Sequence, residues 1–332
     1  MTPLVTRRTA LAGIAAGITT PAFGQGAGAA VIYTSNPAQA VEAVVDVARK
    51  ALPNIKLSTV TGGSGQLLRR IEAEAAKPQC DVFWTSSANT LGAFKTLYQP
   101  YKPAGSDKIF ESLRDPGDLW TACNVHVAVL MVNTKQLGGL PEPKTWADLL
   151  DPKWKGKLII ADPANSSTAY TILWGLDKML GAVGLKALAN TVKVTSSAPT
   201  VLRGVAQGEY AAGLTFESNA YAYVAGGQSE ISLVYPADGT FTTAEYLTLI
   251  KGAPAGPVAT QVCDLLVSRE VQVALLEAAF RRPSRTDIEV AKHVKLPEIA
   301  AIKVFKTDED DAAAQRKDFL ARWQALAAAA GN

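Results

Sequence analysis

Residues 29–85 alternate between short β-forming runs and amphipathic stretches, and this rhythm constrains the fold more than any other feature of the chain. Residues 29–34 (AAVIYT), 55–60 (IKLSTV) and 80–85 (CDVFWT) read as three strands. Between the first two, Val41, Val44, Val45, Ala48 and Leu52 recur at helical spacing. Over residues 66–76, Leu67, Leu68 and Ile71 point inward, while Arg69, Arg70, Glu72 and Glu74 face mostly outward. A β-α-β-α-β order of this kind predicts a parallel sheet with helices on both faces.

A second α/β block opens with the apolar strand at 124–133 (NVHVAVLMVN). The pattern predicts strands at 157–161, 211–216, 230–235 and 244–250, the last one running back. Helices are expected at 146–150, 170–180, 185–191, 201–207, 259–266, 271–279 and 312–330. The acidic run 308–311 precedes the last helix and complements its dipole. At 332 residues and 48% hydrophobic, the chain has apolar mass for two cores. No flexible linker separates the blocks, so a cleft between them is expected. Such clefts collect ligands at strand ends and helix N-termini.

Residues 1–24 read as an address. Arg7 and Arg8 precede an apolar run at 10–18, Pro21 breaks it, and Ala22, Phe23 and Gly24 offer a cleavage site. The twin arginine and mild hydrophobic region resemble a Tat signal. The run is shorter than the about 20 residues a membrane span needs. Export, with a periplasmic location, is the expectation. The net charge of +3 includes both of those arginines and leaves no basic footprint for nucleic acid. Two histidines and three cysteines exclude a Cys/His zinc framework and a disulfide-dense scaffold. A Cys80–Cys123 disulfide stays open.

The loops carry the functional signal. Three of them place small hydroxyl residues ahead of a helix: Thr61-Gly62-Gly63-Ser64-Gly65, Asn165-Ser166-Ser167-Thr168, and Thr195-Ser196-Ser197. Two further strands end in Tyr33-Thr34-Ser35-Asn36 and Thr85-Ser86-Ser87. A helix N-terminus presents unpaired N–H groups and about half a positive charge, so it suits an anion. Glycines let a ligand approach the backbone. Each loop alone is an ordinary cap, but five at strand ends point to a bound phosphate, phosphonate, carboxylate or metal-chelating anion. Glu217, after a buried strand, either reads a ligand hydroxyl or amine or is an ordinary strand-end carboxylate. His126 reads as a satisfied core or surface residue. The Arg281-Arg282-Pro283-Ser284-Arg285 cluster either faces an anion or is a solvated loop.

Catalytic patterns are missing. Gln66 breaks the nucleophile elbow around Ser64, and no histidine pairs with a nucleophile in a recognisable motif. Gly24, Gly26 and Gly28 do not follow a strand and form no dinucleotide fingerprint. No catalytic residue, metal site or cofactor is assigned.

Several stretches resemble the periplasmic solute-binding proteins of ABC importers, in the branch holding ferric-ion, phosphorylated-sugar and phosphonate binders. They are TGGSGQLL at 61–68, CDVFWT at 80–85, TWADLLDPKWKGK at 145–157, IADP at 160–163, VAQGEY at 205–210, KGAP at 251–254 and RPSRTD at 282–287. The resemblance implies a type II periplasmic-binding-protein fold: two lobes, each a mixed sheet flanked by helices, closing on a ligand like a clamp. Lobe one is then discontinuous, 29–124 plus 246–332, and lobe two is 125–245. Hinge strands are expected near 125–132 and 243–249. The implied partners are a small anionic ligand and an inner-membrane permease with its ATPase, and a monomer is expected.

One departure bears on the ligand. Ferric binders of this branch carry adjacent tyrosines after the strand placed here at 211–216, where this chain reads Phe216-Glu217-Ser218-Asn219. A hard ferric ion wants anionic oxygen ligands. The expected ligand is therefore a phosphate ester or phosphonate held by Ser35, Asn36, Ser64, Gly65, Ser86, Ser87, Ser166, Ser167 and Thr168, with Glu217 selecting. The alternative is iron on Glu217, Tyr221 and Tyr223, and a further alternative is an exported hydrolase using Ser64.

Overall fold

The structure, a computed structural model, describes residues 28–332, so the leader read at 1–24 lies outside the described residues. In chain order the first lobe builds β1 (Gly28–Thr34), α1 (Ala38–Ala51), β2 (Ile55–Thr61), α2 (Ser64–Ala73), β3 (Val82–Trp84), the single turn α3 (Ala88–Leu91) and β4 (Tyr98–Gln99). The long strand β5 (Thr121–Asn133) leads into β6 (Leu158–Ala161), α4 (Ser167–Thr191), β7 (Val192–Thr195), α5 (Ala198–Ala206), β8 (Ala212–Phe216), α6 (Glu217–Ala225) and β9 (Ile231–Val234). Then come β10 (Thr242–Ile250), α7 (Pro257–Val267), α8 (Arg269–Ala279), β11 (Arg282–Pro283), α9 (Glu309–Ala314) and α10 (Arg316–Ala329). The helices expected at 170–180 and 185–191 are one element, broken at Gly181, whose φ of 69° only glycine adopts freely.

The strand order β2-β1-β3-β10-β5-β8-β6-β7 runs through both lobes. β1 pairs in parallel with β2, from Gly28 opposite Ile55 to Thr34 opposite Thr61. β5 is shared: its first half pairs with β10 and its second half with β8 and β9, all antiparallel. Two cores result. One gathers Ile32, Val44, Leu68, Phe83 and Val262, and the other gathers Val129, Leu130, Ile160, Trp174 and Leu214. β5 passes from one to the other between Cys123 and Ala128, and the chain returns between Phe241 and Ala244.

The C-terminus departs from the expected lobe-one assignment of 246–332. Ala312, Phe319, Trp323 and Ala327 belong to the second core. Phe319 meets Tyr170 and Trp174 edge-on, and Tyr170 donates its hydroxyl to the Ala312 carbonyl. The apolar stripe of α10 is compatible with burial against either lobe, and only the aromatic socket on α4 decides which. A third crossing therefore follows β11, where a bridge of Thr240 to Val304 ties the segment between β11 and α9 to the second lobe.

The lobes are closed on one another. The backbone N–H of Ser167 donates to Ser64 Oγ at 2.9 Å across the cleft. Arg69 of α2 reaches the Asn165 side chain at 2.9 Å, and Asn89 reaches Thr171 at 3.1 Å. Cys80, Cys123 and Cys263 are buried free thiols, so the open question of a Cys80–Cys123 disulfide resolves to no bond.

Candidate functional site

A cavity of about 750 Å³ lies between the lobes and is lined by residues of both. The N-terminal ends of four longer helices border it: Pro37 and Ala38 at α1, Gly63 and Ser64 at α2, Ser166 to Thr168 at α4, and Ser197 to Pro199 at α5. The helices α1, α2 and α5 have no side-chain cap. The Gly65 N–H of α2 already bonds the Asn165 carbonyl and the Thr200 N–H of α5 bonds the Ser197 carbonyl, so what these ends offer an anion is their dipole together with the remaining first-turn N–H groups. Convergence follows from the topology: within each lobe the parallel strands bring their strand-to-helix loops to one edge. Because β8 runs antiparallel to β5 while β3 runs parallel to it, the two edges face each other.

Of the residues expected at the site, Ser35, Asn36, Ser64, Ser86, Ser87, Ser166, Ser167 and Thr168 line the cavity. Ser35 shares a hydrogen bond with Thr85, Ser87 donates to Asn89 at 2.5 Å, and Ser166 caps the Ala169 N–H at 3.3 Å. Ser86 differs from these. Its side-chain oxygen is buried without a partner, and its backbone is left-handed at φ 84°. A left-handed serine costs on the order of 1 kcal/mol or more, and such strain collects at ligand-binding positions.

Gly65 and Glu217 do not line the cavity. A Cβ on Gly65 would sit 2.0 Å from the Ala164 carbonyl oxygen, and one on Gly63 2.7 Å from that of Asn165. The glycines of this loop thus admit the opposite lobe as well as any ligand. Glu217 is held in a bidentate pair by Arg282, Nε to Oε2 at 2.7 Å and the terminal nitrogen to Oε1 at 2.9 Å. Tyr235 donates a further hydrogen bond to Glu217 at 2.5 Å. With both ionic side chains 2% exposed, Glu217 has no free face for a ligand. The expected selecting role is corrected to a structural one.

The ferric alternative on Glu217, Tyr221 and Tyr223 meets the same obstacle. Tyr221 donates to the Lys295 carbonyl at 3.0 Å and stacks edge-on against Phe280. Neither tyrosine lines the cavity. The three candidates therefore do not converge there.

The floor of the cavity is a charged network that the sequence does not announce. Arg281 NH1 lies 3.0 Å from both ring nitrogens of His126, and NH2 donates to Asn36 Oδ1 at 2.9 Å and Asn219 Oδ1 at 3.4 Å. Phe280, left-handed at φ 56°, ends α8 and turns the chain so that Arg281 enters the cleft. Arg281, in the turn, enters the cavity, while Arg282, the first residue of β11, turns to Glu217. His126 stacks on Phe216 with centroids 4.5 Å apart. Burial, with Arg281 adding to it, lowers the His126 pKa, so the ring is neutral. A guanidinium only donates, so one bare ring nitrogen accepts from it.

Glu245 completes the floor. A register shift between Glu245 and Tyr246 leaves Cys123 as the extra residue of β5, and such bulges re-aim a side chain. Asn124 donates to Glu245 Oε2 at 2.6 Å, and His126 Nε2 is 3.9 Å from Oε1. Burial pushes the Glu245 carboxyl up, yet His126, Arg281 and Asn124 together outweigh it and bring its pKa down to about 2. Arg281 and Glu245 offset each other. Attraction for an anion then rests with the helix ends and hydroxyls, which bind without building a large net charge.

Phe216, Asn219, Thr243 and Glu245 line the cavity without having been assigned to it from the sequence, as do Val41, Glu42, Ala198 and Leu202. His126 was read as a satisfied residue, and Arg281 lay in the arginine cluster whose role was left open. Among the described residues no group of three or more His, Cys, Asp or Glu is placed to hold a metal ion. No helix of the described residues is long and apolar enough to cross a membrane.

Comparison with known proteins places the chain. A Haemophilus influenzae protein, itself uncharacterised, is 32% identical over 78% of this chain and 78% of its own length. The periplasmic binding protein AfuA of Actinobacillus pleuropneumoniae, solved with fructose-6-phosphate, superposes with a TM-score of 0.83 at 27% identity, covering 90% of this chain and 98% of AfuA. Iron uptake protein A1 of Synechocystis is 25% identical over 76% of this chain and 74% of its own. The family described as bacterial extracellular solute-binding protein matches residues 78–313. With that match, and with two lobes closed on a ligand-sized cleft, the chain belongs to the bacterial extracellular solute-binding proteins, the substrate-capturing components of ABC importers.

Proposed function

We propose that this solute-binding protein captures a small organic anion, a phosphate ester or phosphonate, in the interlobe cavity. One observation carries the reading: uncapped helix N-termini from both lobes and the unpartnered hydroxyl of Ser86 border the same cavity. Ser35, Ser64, Ser86, Ser166, Ser167 and Thr168 supply neutral donors around the head group, and Ser87, whose hydroxyl donates to Asn89, lines the cavity beside them. Asn36 and Arg281 reach it from the floor, and Gly65 acts by letting the lobes meet. Neutral donors and helix dipoles, with the Arg281 charge offset by Glu245, favour an anion that must be released again.

The protein works as a monomer in the periplasm, exported by its leader, and hands the closed, loaded form to a membrane permease with its ATPase. The twin-arginine leader and the periplasmic relative AfuA support the location. No catalysis is assigned: Ser64 Oγ accepts the Ser167 N–H across the cleft, and Gln66 breaks the nucleophile-elbow pattern around it. AfuA, with its sugar phosphate, supports the phosphorylated class. The positions of Tyr221 and Tyr223 speak against iron.

The test is a thermal-shift panel on ligand-stripped protein: sugar phosphates, 2-aminoethylphosphonate, inorganic phosphate, thiamine and ferric citrate. A ligand at 100 times its Kd stabilises the folded state by about 2.7 kcal/mol. The expected result is a large rise with a phosphorylated or phosphonate compound and none with iron. A rise with ferric citrate alone overturns the proposal.

A further inference from the structure

The cavity has two kinds of wall. Its buried floor is polar, built from Asn36, Ser86, Ser87, Glu245 and Arg281. Its mouth is flanked by the first turns of α1 and α5, which arrive from opposite lobes. α1 brings Ala38 and Val41, and α5 brings Ala198 and Leu202. Residues at this spacing lie on one face of a helix, so each helix turns an apolar edge toward the cavity. Val41 and Leu202 are half-buried beside their own cores, and each keeps a face toward the cleft.

Space and charge agree with this division. A volume of about 750 Å³ suits a ligand with a substantial body beyond a phosphate-sized head. Exposed Glu42, one residue from Val41 on the cavity rim, repels a second anionic group there. A polyhydroxylated body at the mouth would turn hydroxyls toward methyl groups that neither donate nor accept, and would lose water without compensation.

We infer that the ligand is an amphiphilic anion, its phosphate- or phosphonate-type head on the hydroxyl-lined floor and an apolar alkyl or aryl body between Val41 and Leu202. This rests on the anion reading proposed above and adds the character of the ligand's other end. Val41 and Leu202 thereby set specificity.

The experiment is calorimetric titration of the ligand-stripped protein with methyl-, ethyl-, propyl-, butyl- and phenylphosphonate, beside glucose 6-phosphate and inorganic phosphate. Affinity is expected to rise about two- to fourfold with each added methylene. Butyl- and phenylphosphonate are expected to bind tighter than glucose 6-phosphate. In Val41→Ser and Leu202→Ser the chain-length dependence flattens, while methylphosphonate keeps its affinity within about twofold, which also reports an intact fold. A flat series in the wild type, or tighter binding of glucose 6-phosphate, overturns the amphiphilic ligand and leaves the anion site standing. Failure of every phosphonate and phosphate to bind overturns both readings.

Discussion

Gly65→Ala isolates lobe closure from lobe folding. The new Cβ would lie 2.0 Å from the Ala164 carbonyl oxygen, where ordinary contact starts at 3.4 Å. The oxygen belongs to backbone and the backbone fixes where a Cβ sits, so no side-chain rotation relieves the clash, and the lobes must part there by roughly 1.4 Å. Three interlobe hydrogen bonds sit within that reach: Ser167 N–H to Ser64 at 2.9 Å, Gly65 N–H to Asn165 at 3.4 Å, and Arg69 to Asn165 at 2.9 Å. At about 0.5–1.5 kcal/mol net each, their loss disfavours the closed form by about 2–4 kcal/mol. Affinity for a ligand that needs closure then falls at least about thirtyfold. Neither lobe alone is harmed. Gly65 lies in the first turn of α2, where alanine is the better helix former by up to about 1 kcal/mol. The ligand-free unfolding midpoint should stay or rise slightly, while titration of the best compound from the panel shows the affinity loss. Small-angle scattering with that compound should show a larger radius of gyration than the wild type. Wild-type affinity together with wild-type compaction would refute the reasoning.

Other perturbations separate the remaining parts. Glu217→Ala breaks a buried ion pair and should cost about 3–5 kcal/mol in denaturant unfolding, with the ranking of ligands unchanged; a changed ranking would restore Glu217 to the ligand. Ser86→Gly removes the unpartnered hydroxyl and relieves the left-handed strain, so stability should rise by about 1 kcal/mol while titration shows about tenfold weaker binding of the phosphonate or phosphate ligand. Glu309, the first residue of α9, accepts a hydrogen bond from Thr243 and faces the Ala88 and Asn89 backbone. Burial raises its pKa from 4.5 to about 7, with Asp310 adding to the rise. The folded state holds this proton more tightly than the unfolded one, so the contribution of Glu309 is most favourable below pH 4.5 and declines up to pH 7. Urea titrations should show wild type losing stability relative to Glu309→Gln across that window, and parallel curves would count against a buried, protonated Glu309. Glu245 has the opposite sign: its pKa is lowered from 4.5 to about 2, so its contribution is present above pH 4.5 and is lost as pH falls toward 2. Glu245→Gln should show a weaker loss of stability over that acid range than the wild type.

Hydrophobic period and loop chemistry are local properties, and they were legible in the residues alone. The strand at 29–34, the helix on Val41, Val44 and Ala48, and the loops ahead of α2, α4 and α5 could each be read within a dozen residues. That eight hydroxyl and amide positions share one cavity follows in part from the same local rule, because crossovers between parallel strands send the loops after them to one edge of each lobe. Partnerships over long separations were not legible. Arg281 meets His126 across 155 residues, and Glu217 spends both oxygens on Arg282, 65 residues away. A carboxylate at a strand end looks alike whether it faces a ligand or a distant arginine. The glycines at 63 and 65 were read as room for a ligand, yet the backbone they admit belongs to Ala164 and Asn165. The apolar stripe of α10 could cover either core, and the socket of Tyr170 and Trp174 selects the second. Residue types and their spacing thus determined the elements and the chemistry on offer. Which charges cancel, which glycines serve closure and which side chains face the ligand was decided by tertiary structure, because burial and pairing belong to the neighbours a residue acquires on folding.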